Sequence, residues 1–279
     1  MSQHPAFTAG RGAVITGGAS GIGLATAQHC AANGMSLFLA DIDQTALESA
    51  RAAIFTDHPG TTIENIVTDV GNRADVQRLH DIAARSGPIG LLMNNAGVEG
   101  GGGLTADAAR WHTIIDTNLW GVINGVQVFM PTLMAQGIPA AIINTGSKQG
   151  ITMPPGDTAY NVSKAGIKAV TEALAHDLRE AGSPVTAHLL IPGFTFTGFT
   201  KKRVAEKPDA AWTPEQVVAF MAERLAQGDF YILCPDNAVT QAIDHKRIDW
   251  AAGDIIHNRP ALSRWHPDYQ AAFEVFVKS

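Results

Sequence analysis

Cysteine is nearly absent from this chain: Cys30 and Cys234 are the two in 279 residues. Two thiols build no disulfide framework, and both read as small core residues rather than redox centres. Positive charge is scarce as well, with 20 Lys and Arg against 26 Asp and Glu and a net charge of −6. That balance lacks the basic stripe of a nucleic-acid binder. No apolar run reaches about eighteen residues, so no membrane-crossing helix is expected. Met1 to Arg11 has no apolar signal core, so a cytoplasmic protein is expected. The ten histidines fall in no H-E-x-x-H or comparable ligand spacing, so no metal is expected. Repeats, linkers and low-complexity tracts are missing too. What is present is 46% hydrophobic, enough for one large core.

Short apolar runs at 13–16, 35–41, 62–68, 89–93, 140–144, 185–191 and 230–233 read as strands. Helical patterns fill the gaps at 22–32, 44–55, 73–85, 106–136, 158–180 and 214–227. The last has a complete entry signal, with Thr213 as N-cap, Pro214 at the first helical position and Gln216 three after the cap. Alternating strands and helices predict an α/β fold, a doubly wound, mostly parallel, Rossmann-like sheet with helices on both faces. We take 1–235 as the catalytic domain and 236–279 as a helical extension. In that extension Tyr269, Phe273 and Phe276 recur at helical spacing, forming an aromatic face that water disfavours. It packs on its own domain, over a substrate mouth, or against a neighbouring subunit.

The chemistry is concentrated in a few positions. Tyr160 follows Ser147 by thirteen positions, and Lys164 follows Tyr160 by four. On a helix Tyr160 and Lys164 share one face. An ammonium beside a phenol favours the phenolate, which brings a group that titrates near pH ~10 toward neutrality. Read alone, the pair is an ordinary helix-surface pair. The N-terminus supplies a second half: a strand, the turn Gly17-Gly-Ala-Ser20-Gly21-Ile22-Gly23, then a helix. That order suits a dinucleotide pyrophosphate, which the backbone approaches closely at the glycines and which the helix start attracts. A tight βα connection without a ligand has the same look. The second strand ends at Asp41, followed by Ile42. A carboxylate there accepts from ribose hydroxyls and repels a 2′-phosphate. No Lys or Arg stands in the glycine turn or directly after Asp41, so NAD is expected over NADP.

With these motifs the chain resembles the short-chain dehydrogenases/reductases, in their compact branch, from about Gly12 to about Pro235. Thr16 to Gly23, Asp69-Val70, Asn94-Asn95-Ala96-Gly97, Asn118, Ser147, Tyr160/Lys164 and Pro192-Gly193 stand in the family's order. The resemblance implies that Asp69 and the Val70 backbone meet the adenine. It places the cofactor ribose along Asn95, Ala96 and Gly97, and the nicotinamide carboxamide against Pro192, Gly193, Thr195 and Thr197. It makes Tyr160 the acid–base group, Ser147 the holder of the substrate oxygen and Lys164 the holder of the nicotinamide ribose. Asn118 kinks its helix and keeps a water that links Lys164 to solvent. A homodimer or homotetramer through the helices of Asn118 and Tyr160 is implied as well. The sequence departs from the family's habit at Gly146, Thr195 and throughout 236–279.

The loops after the fourth, fifth and sixth strands offer Val98, Leu104, Ile151, Met153, Phe196 and Phe199, with Glu99 as a polar neighbour. Apolar walls predict a hydrophobic or aryl-bearing secondary alcohol, or its ketone. The alternatives are an NAD(P)H-dependent ketone or 3-oxoacyl reductase, and an idle dinucleotide-binding regulator. Intact Asn118, Ser147, Tyr160 and Lys164 speak against the regulator.

Overall fold

The computed structural model describes residues 3–198 and 206–279. Phe199, a candidate pocket wall, lies outside the described residues. Seven strands form one parallel sheet: β1 (Gly12–Thr16), β2 (Ser36–Asp41), β3 (Ile63–Val67), β4 (Ile89–Asn94), β5 (Ala140–Thr145), β6 (Val185–Ile191) and β7 (Tyr231–Leu233). Their spatial order is β3-β2-β1-β4-β5-β6-β7. The central strands are buried from end to end, which explains their unbroken apolar runs.

Alternate residues of these strands feed two cores. Ile15, Leu37, Leu39 and Met93 pack on one face with Val217 and Met221. These two come from helix α8 (Pro214–Ala226), and helices α1 (Gly21–Ala32) and α2 (Gln44–Asp57) cover the same face. Val14, Phe38, Leu92 and Ile142 pack on the other with Leu79, Phe129, Leu133, Ile167 and Leu174. Helices α3 (Arg73–Arg85), α5 (Gly121–Ala135) and α7 (Thr158–Glu180) carry those partners. Cys30 and Cys234 are fully buried in the first core. Burial raises both thiols, Cys234 to about 12, so they serve as packing.

The predicted cap of α8 is present: Thr213 accepts from the Gln216 amide at 3.3 Å, and the Gln216 side chain accepts from the Thr213 amide at 2.8 Å. The predicted single helix over 106–136 is not. It divides into α4 (Ala108–Ile114), a π-helical turn (Ile115–Trp120) and α5. Asn118 lies inside that turn, and a π turn inserts an extra residue where a helix must reach a fixed partner.

After β7 the chain forms α9 (Gln241–Ile256), a short 3₁₀ turn (Ser263–Trp265) and α10 (Pro267–Lys278). Phe273 and Phe276 of α10 pack on Trp250 of α9, with ring centroids 5.4 and 5.3 Å apart. The Arg259 guanidinium covers Trp250 at 4.1 Å. Asp254 ties the turn by accepting from Arg259 Nε at 2.9 Å and from the Ser263 amide at 3.1 Å. Two rings of the aromatic face expected for the tail, Phe273 and Phe276, thus meet Trp250 within the tail.

Candidate active site

Because every strand is parallel, the segments that leave their C-terminal ends share one edge of the sheet. The chain runs outward from β1 to β3, then returns to the far side of β1 for β4. The loops after β1 and β4 diverge there and open a crevice. All the sequence-predicted site residues except those on helices leave the sheet at this edge.

Gly17 to Gly23 follow β1 and enter α1. Gly21 has a φ of 53°, and a Cβ on it would lie 3.3 Å from the Thr197 side chain, so the turn stays open only to a glycine backbone. A Cβ on Gly23 would lie 2.1 Å from the Gly17 carbonyl, so α1 begins in close contact with its own turn. Ser20 is the N-cap of α1 but makes no side-chain cap, and no acidic residue stands in the first turn. Ile22 is buried below. The helix start therefore keeps donors free for an anion.

Asp41 ends β2 facing that turn. Its Oδ2 accepts from the Ala19 amide at 3.3 Å and its Oδ1 from the Asp43 amide at 3.2 Å. Ile42 beside it is 71% exposed, an apolar surface at the rim. Asp69 follows β3 and accepts from the Gly71 amide at 2.9 Å. Val70 is buried, and its carbonyl accepts from Asn124 Nδ2 at 2.9 Å. Asn124 had no motif to announce it.

The Asn95-Ala96-Gly97 segment is stitched to β1. The amides of Asn95 and Ala96 both donate to Thr16 Oγ1, at 2.9 and 3.1 Å, and Asn95 Nδ2 donates to the Thr16 carbonyl at 3.2 Å. Asn118 has no exposed surface. Its Oδ1 accepts from the Val98 amide at 2.7 Å, while its Nδ2 donates to the Val98 carbonyl at 2.9 Å and to Ser163 Oγ at 3.1 Å. Both amide hydrogens are used, so the side chain anchors the loop after β4 to α7.

Ser147 follows β5. Its hydroxyl accepts from the Gln149 amide at 3.2 Å and lies near enough to the Tyr160 phenol to pull its pKa down. Tyr160 is in the first turn of α7, capped by Asp157, which accepts from the Tyr160 amide at 3.3 Å. The same carboxylate accepts from the amides of Gly100 and Gly102, at 2.7 and 3.1 Å, and so pins the glycine loop. Asp157 was missed in the sequence, because an Asp before a helix is an ordinary cap. Lys164 is buried beside the phenol, its Nζ 5.5 Å from the ring centre, and donates to the Thr145 carbonyl at 2.8 Å.

The expectation that Lys164 makes Tyr160 easier to ionise is not met in the protein alone. Burial raises Tyr160 to about 12, against the pull of the Ser147 hydroxyl, and the charges of Glu99 and Asp157 add to the rise. Burial also lowers Lys164 to about 8, which weakens its hold on a proton and hence its charge.

Past β6, Pro192 and Gly193 lead into a segment held at several points. The Thr195 hydroxyl donates to the Gly193 carbonyl at 3.1 Å, and the Phe194 amide donates to Asp236 Oδ2 at 3.1 Å. Trp212 braces it like a strand: its amide donates to the Phe194 carbonyl at 2.9 Å, and its carbonyl accepts from the Phe196 amide at 2.8 Å. Thr197 is thereby brought opposite Gly21. A crevice with a glycine floor, an uncapped helix start, a carboxylate and an apolar rim fits a dinucleotide. Among the described residues no group of three His, Cys, Asp or Glu is placed to hold a metal, and no helix is long and apolar enough to cross a membrane.

Comparison with known proteins agrees with this geometry. The family model for short chain dehydrogenases matches residues 11–208. The chain is 34% identical over 263 residues to a 1-deoxy-11-beta-hydroxypentalenate dehydrogenase of Streptomyces exfoliatus, covering 91% of this chain and 94% of that one. A short-chain dehydrogenase/reductase from Burkholderia phymatum, solved in complex with NAD, superposes with a TM-score of 0.81 at 34% identity, covering 93% and 97%. A metagenomic short-chain oxidoreductase solved with NADP gives 0.68 at 26% identity, covering 82% and 98%.

Proposed function

The chain belongs to the short-chain dehydrogenase family and is an oxidoreductase acting on CH–OH groups; from that premise we propose that it interconverts a hydrophobic or aryl-bearing secondary alcohol and its ketone, using NAD. The observation that carries this reading is the meeting of Ser147, Tyr160 and Lys164 at one wall of the crevice, from β5 and α7. When bound, the dinucleotide supplies hydride exchange at the carbinol carbon. Tyr160 Oη exchanges the proton with the substrate oxygen, and the Ser147 hydroxyl holds that oxygen in place. Lys164, lowered by burial only to about 8 and so still largely protonated at neutral pH, holds a ribose hydroxyl and favours ionised Tyr160. Gly17, Ser20, Gly21, Ile22 and Gly23 take the pyrophosphate. Asp41 takes the adenosine ribose, with Ile42, Asp69 and Val70 around the adenine. Asn95, Ala96 and Gly97 line the second ribose, and Pro192, Gly193, Thr195 and Thr197 the carboxamide.

Asp41 favours two free ribose hydroxyls over a 2′-phosphate, which supports NAD. Leu104 and Phe194 expose apolar surface, 81% and 43%, at the mouth, which supports an apolar substrate. Trp120 and Val162 are 50% and 45% exposed on the π turn and α7, and we place a homo-oligomer contact there. Two buried free thiols suit a reducing, cytoplasmic setting. The test is absorbance at 340 nm with NAD and a panel of secondary alcohols. Tyr160→Phe is expected to lose nearly all turnover while its NADH affinity stays within about twofold, since a single hydroxyl that contacts substrate is removed. Normal turnover in that variant refutes the assignment.

A further inference from the structure

A buried ion cluster lies behind the catalytic serine, outside every family motif. Lys148, next to Ser147, points its Nζ between two carboxylates, 2.5 Å from Asp244 Oδ2 and 3.4 Å from Asp236 Oδ2. The Asp236 and Asp244 side chains are 5% and 4% exposed. Arg247 approaches Asp244 Oδ1 at 3.7 Å from the same face of α9. Burial raises Asp244, and Lys148 opposes the rise. Breaking one partner out of such a cluster strands a buried charge.

Three connections lead from this cluster into the site. First, the Lys148 carbonyl accepts from the amides of Ile151 and Thr152, each at 3.1 Å, and so begins α6 (Gln149–Thr152) directly after Ser147. Second, α6 presses on the catalytic helix: a Cβ on Gly150 would lie 2.5 Å from the Lys164 carbonyl carbon. Third, Asp236 holds the Phe194 amide at 3.1 Å and accepts from the amides of Ala238 and Val239, at 3.0 and 2.7 Å. A Cβ on Gly193 would come within 2.9 Å of Lys148 Nζ and 2.8 Å of Asp236 Oδ2, so the cluster touches the back of that turn. Asp236 and Asp244 both lie past residue 208, where the family match ends.

We propose that Lys148, clamped by Asp236 and by Asp244 of the C-terminal extension, is a positioning residue that sets the Ser147 loop against the Gly193–Thr195 turn. The extension thereby completes the catalytic geometry of its own chain. The inference rests on the function proposed above for its kinetic arm, and on the fold alone for its structural arm.

Both arms are read on the full-length protein. Hydrogen–deuterium exchange is followed at 146–153 and 192–198 in the wild type, Asp244→Asn, Lys148→Met and Lys148→Arg. Asp244→Asn and Lys148→Met are expected to raise exchange at both segments, with the strands β1 to β3 unchanged. Lys148→Arg, which keeps the charge between the carboxylates, restores protection. In turnover, Asp244→Asn is expected to lower kcat on the order of tenfold through the displaced Ser147 loop and to raise dinucleotide KM through the displaced Gly193–Thr195 turn, because a sub-ångström displacement of a positioned group acts on the chemical step. Exchange changes confined to 236–256, or a wild-type kcat in Asp244→Asn, overturn the proposal. If Lys148→Met does not fold, Asp244→Asn and Lys148→Arg decide. If the wild type oxidises no alcohol, the function above fails while the exchange arm still judges the clamp.

Discussion

Asn118→Ala is expected to damage the scaffold as well as the chemistry, and the size of the damage follows from its three hydrogen bonds. Removing the side chain leaves the Val98 amide and carbonyl without partners. Ser163 loses one partner but keeps its donation to the Tyr160 carbonyl at 2.8 Å. Each buried polar group left unpaired costs about 1–3 kcal/mol. Val98 is only half-buried, so water recovers part of that loss. A total of about 2–4 kcal/mol results, dominated by Val98. The assay is denaturant unfolding followed by tryptophan fluorescence, comparing midpoints at unchanged slope. Exchange at 96–104 reports the loop directly and is expected to rise. Asn118→Asp retains the acceptor for the Val98 amide but turns a carboxylate toward the Val98 carbonyl, so its loss is expected to be at least as large. A loss below about 0.5 kcal/mol, the range of an ordinary surface change, refutes the reasoning and assigns the amide to catalysis alone.

Three further outcomes follow. Lys164 gives up its proton near pH 8 when folded and at 10.5 when unfolded. Above about pH 8 the unfolded state therefore binds more protons, and stability rises with pH. Relative to Lys164→Met, the wild type should gain roughly 2 kcal/mol between about pH 8 and pH 10, at about 1.4 kcal/mol per unit; parallel stability curves refute the buried-lysine account. Above about pH 10 the sign reverses for Tyr160, whose folded value is about 12 against 10.0 unfolded, so Tyr160→Phe should lose less stability there than the wild type. Asp41→Ala should weaken NAD by about tenfold, the worth of a charged hydrogen bond, and narrow the gap to NADP in kcat/KM; an unchanged preference refutes the role of the carboxylate.

The central strands were legible because burial on both faces leaves unbroken apolar runs. The helices α3 and α7 were readable to their ends because turn signals bound an amphipathic pattern. Hydrophobic periodicity missed the π turn, since an apolar face drifts by less than a turn across one inserted residue; only the resemblance implied a kink at Asn118. Its hint was a buried Asn mid-helix, whose partners at Val98 and Ser163 lie on other segments. The ordered motifs located the cofactor crevice and the wall of Ser147, Tyr160 and Lys164. Pairing Tyr160 with Lys164 along one helix misjudged their titration, because local spacing carries no measure of desolvation. The Lys148 cluster escaped notice for a related reason: its members are brought together from the segments after β5 and β7 and from α9, and no periodicity links them.

The placement of β4 beside β1 has a consequence for the growing chain. These two strands touch along their length, yet 72 residues lie between Thr16 and Ile89. The cofactor cleft has no floor until the segments on either side of that stretch have emerged and met. Its ligand therefore selects finished molecules over partial ones, and added dinucleotide should slow global unfolding rather than rescue any fragment.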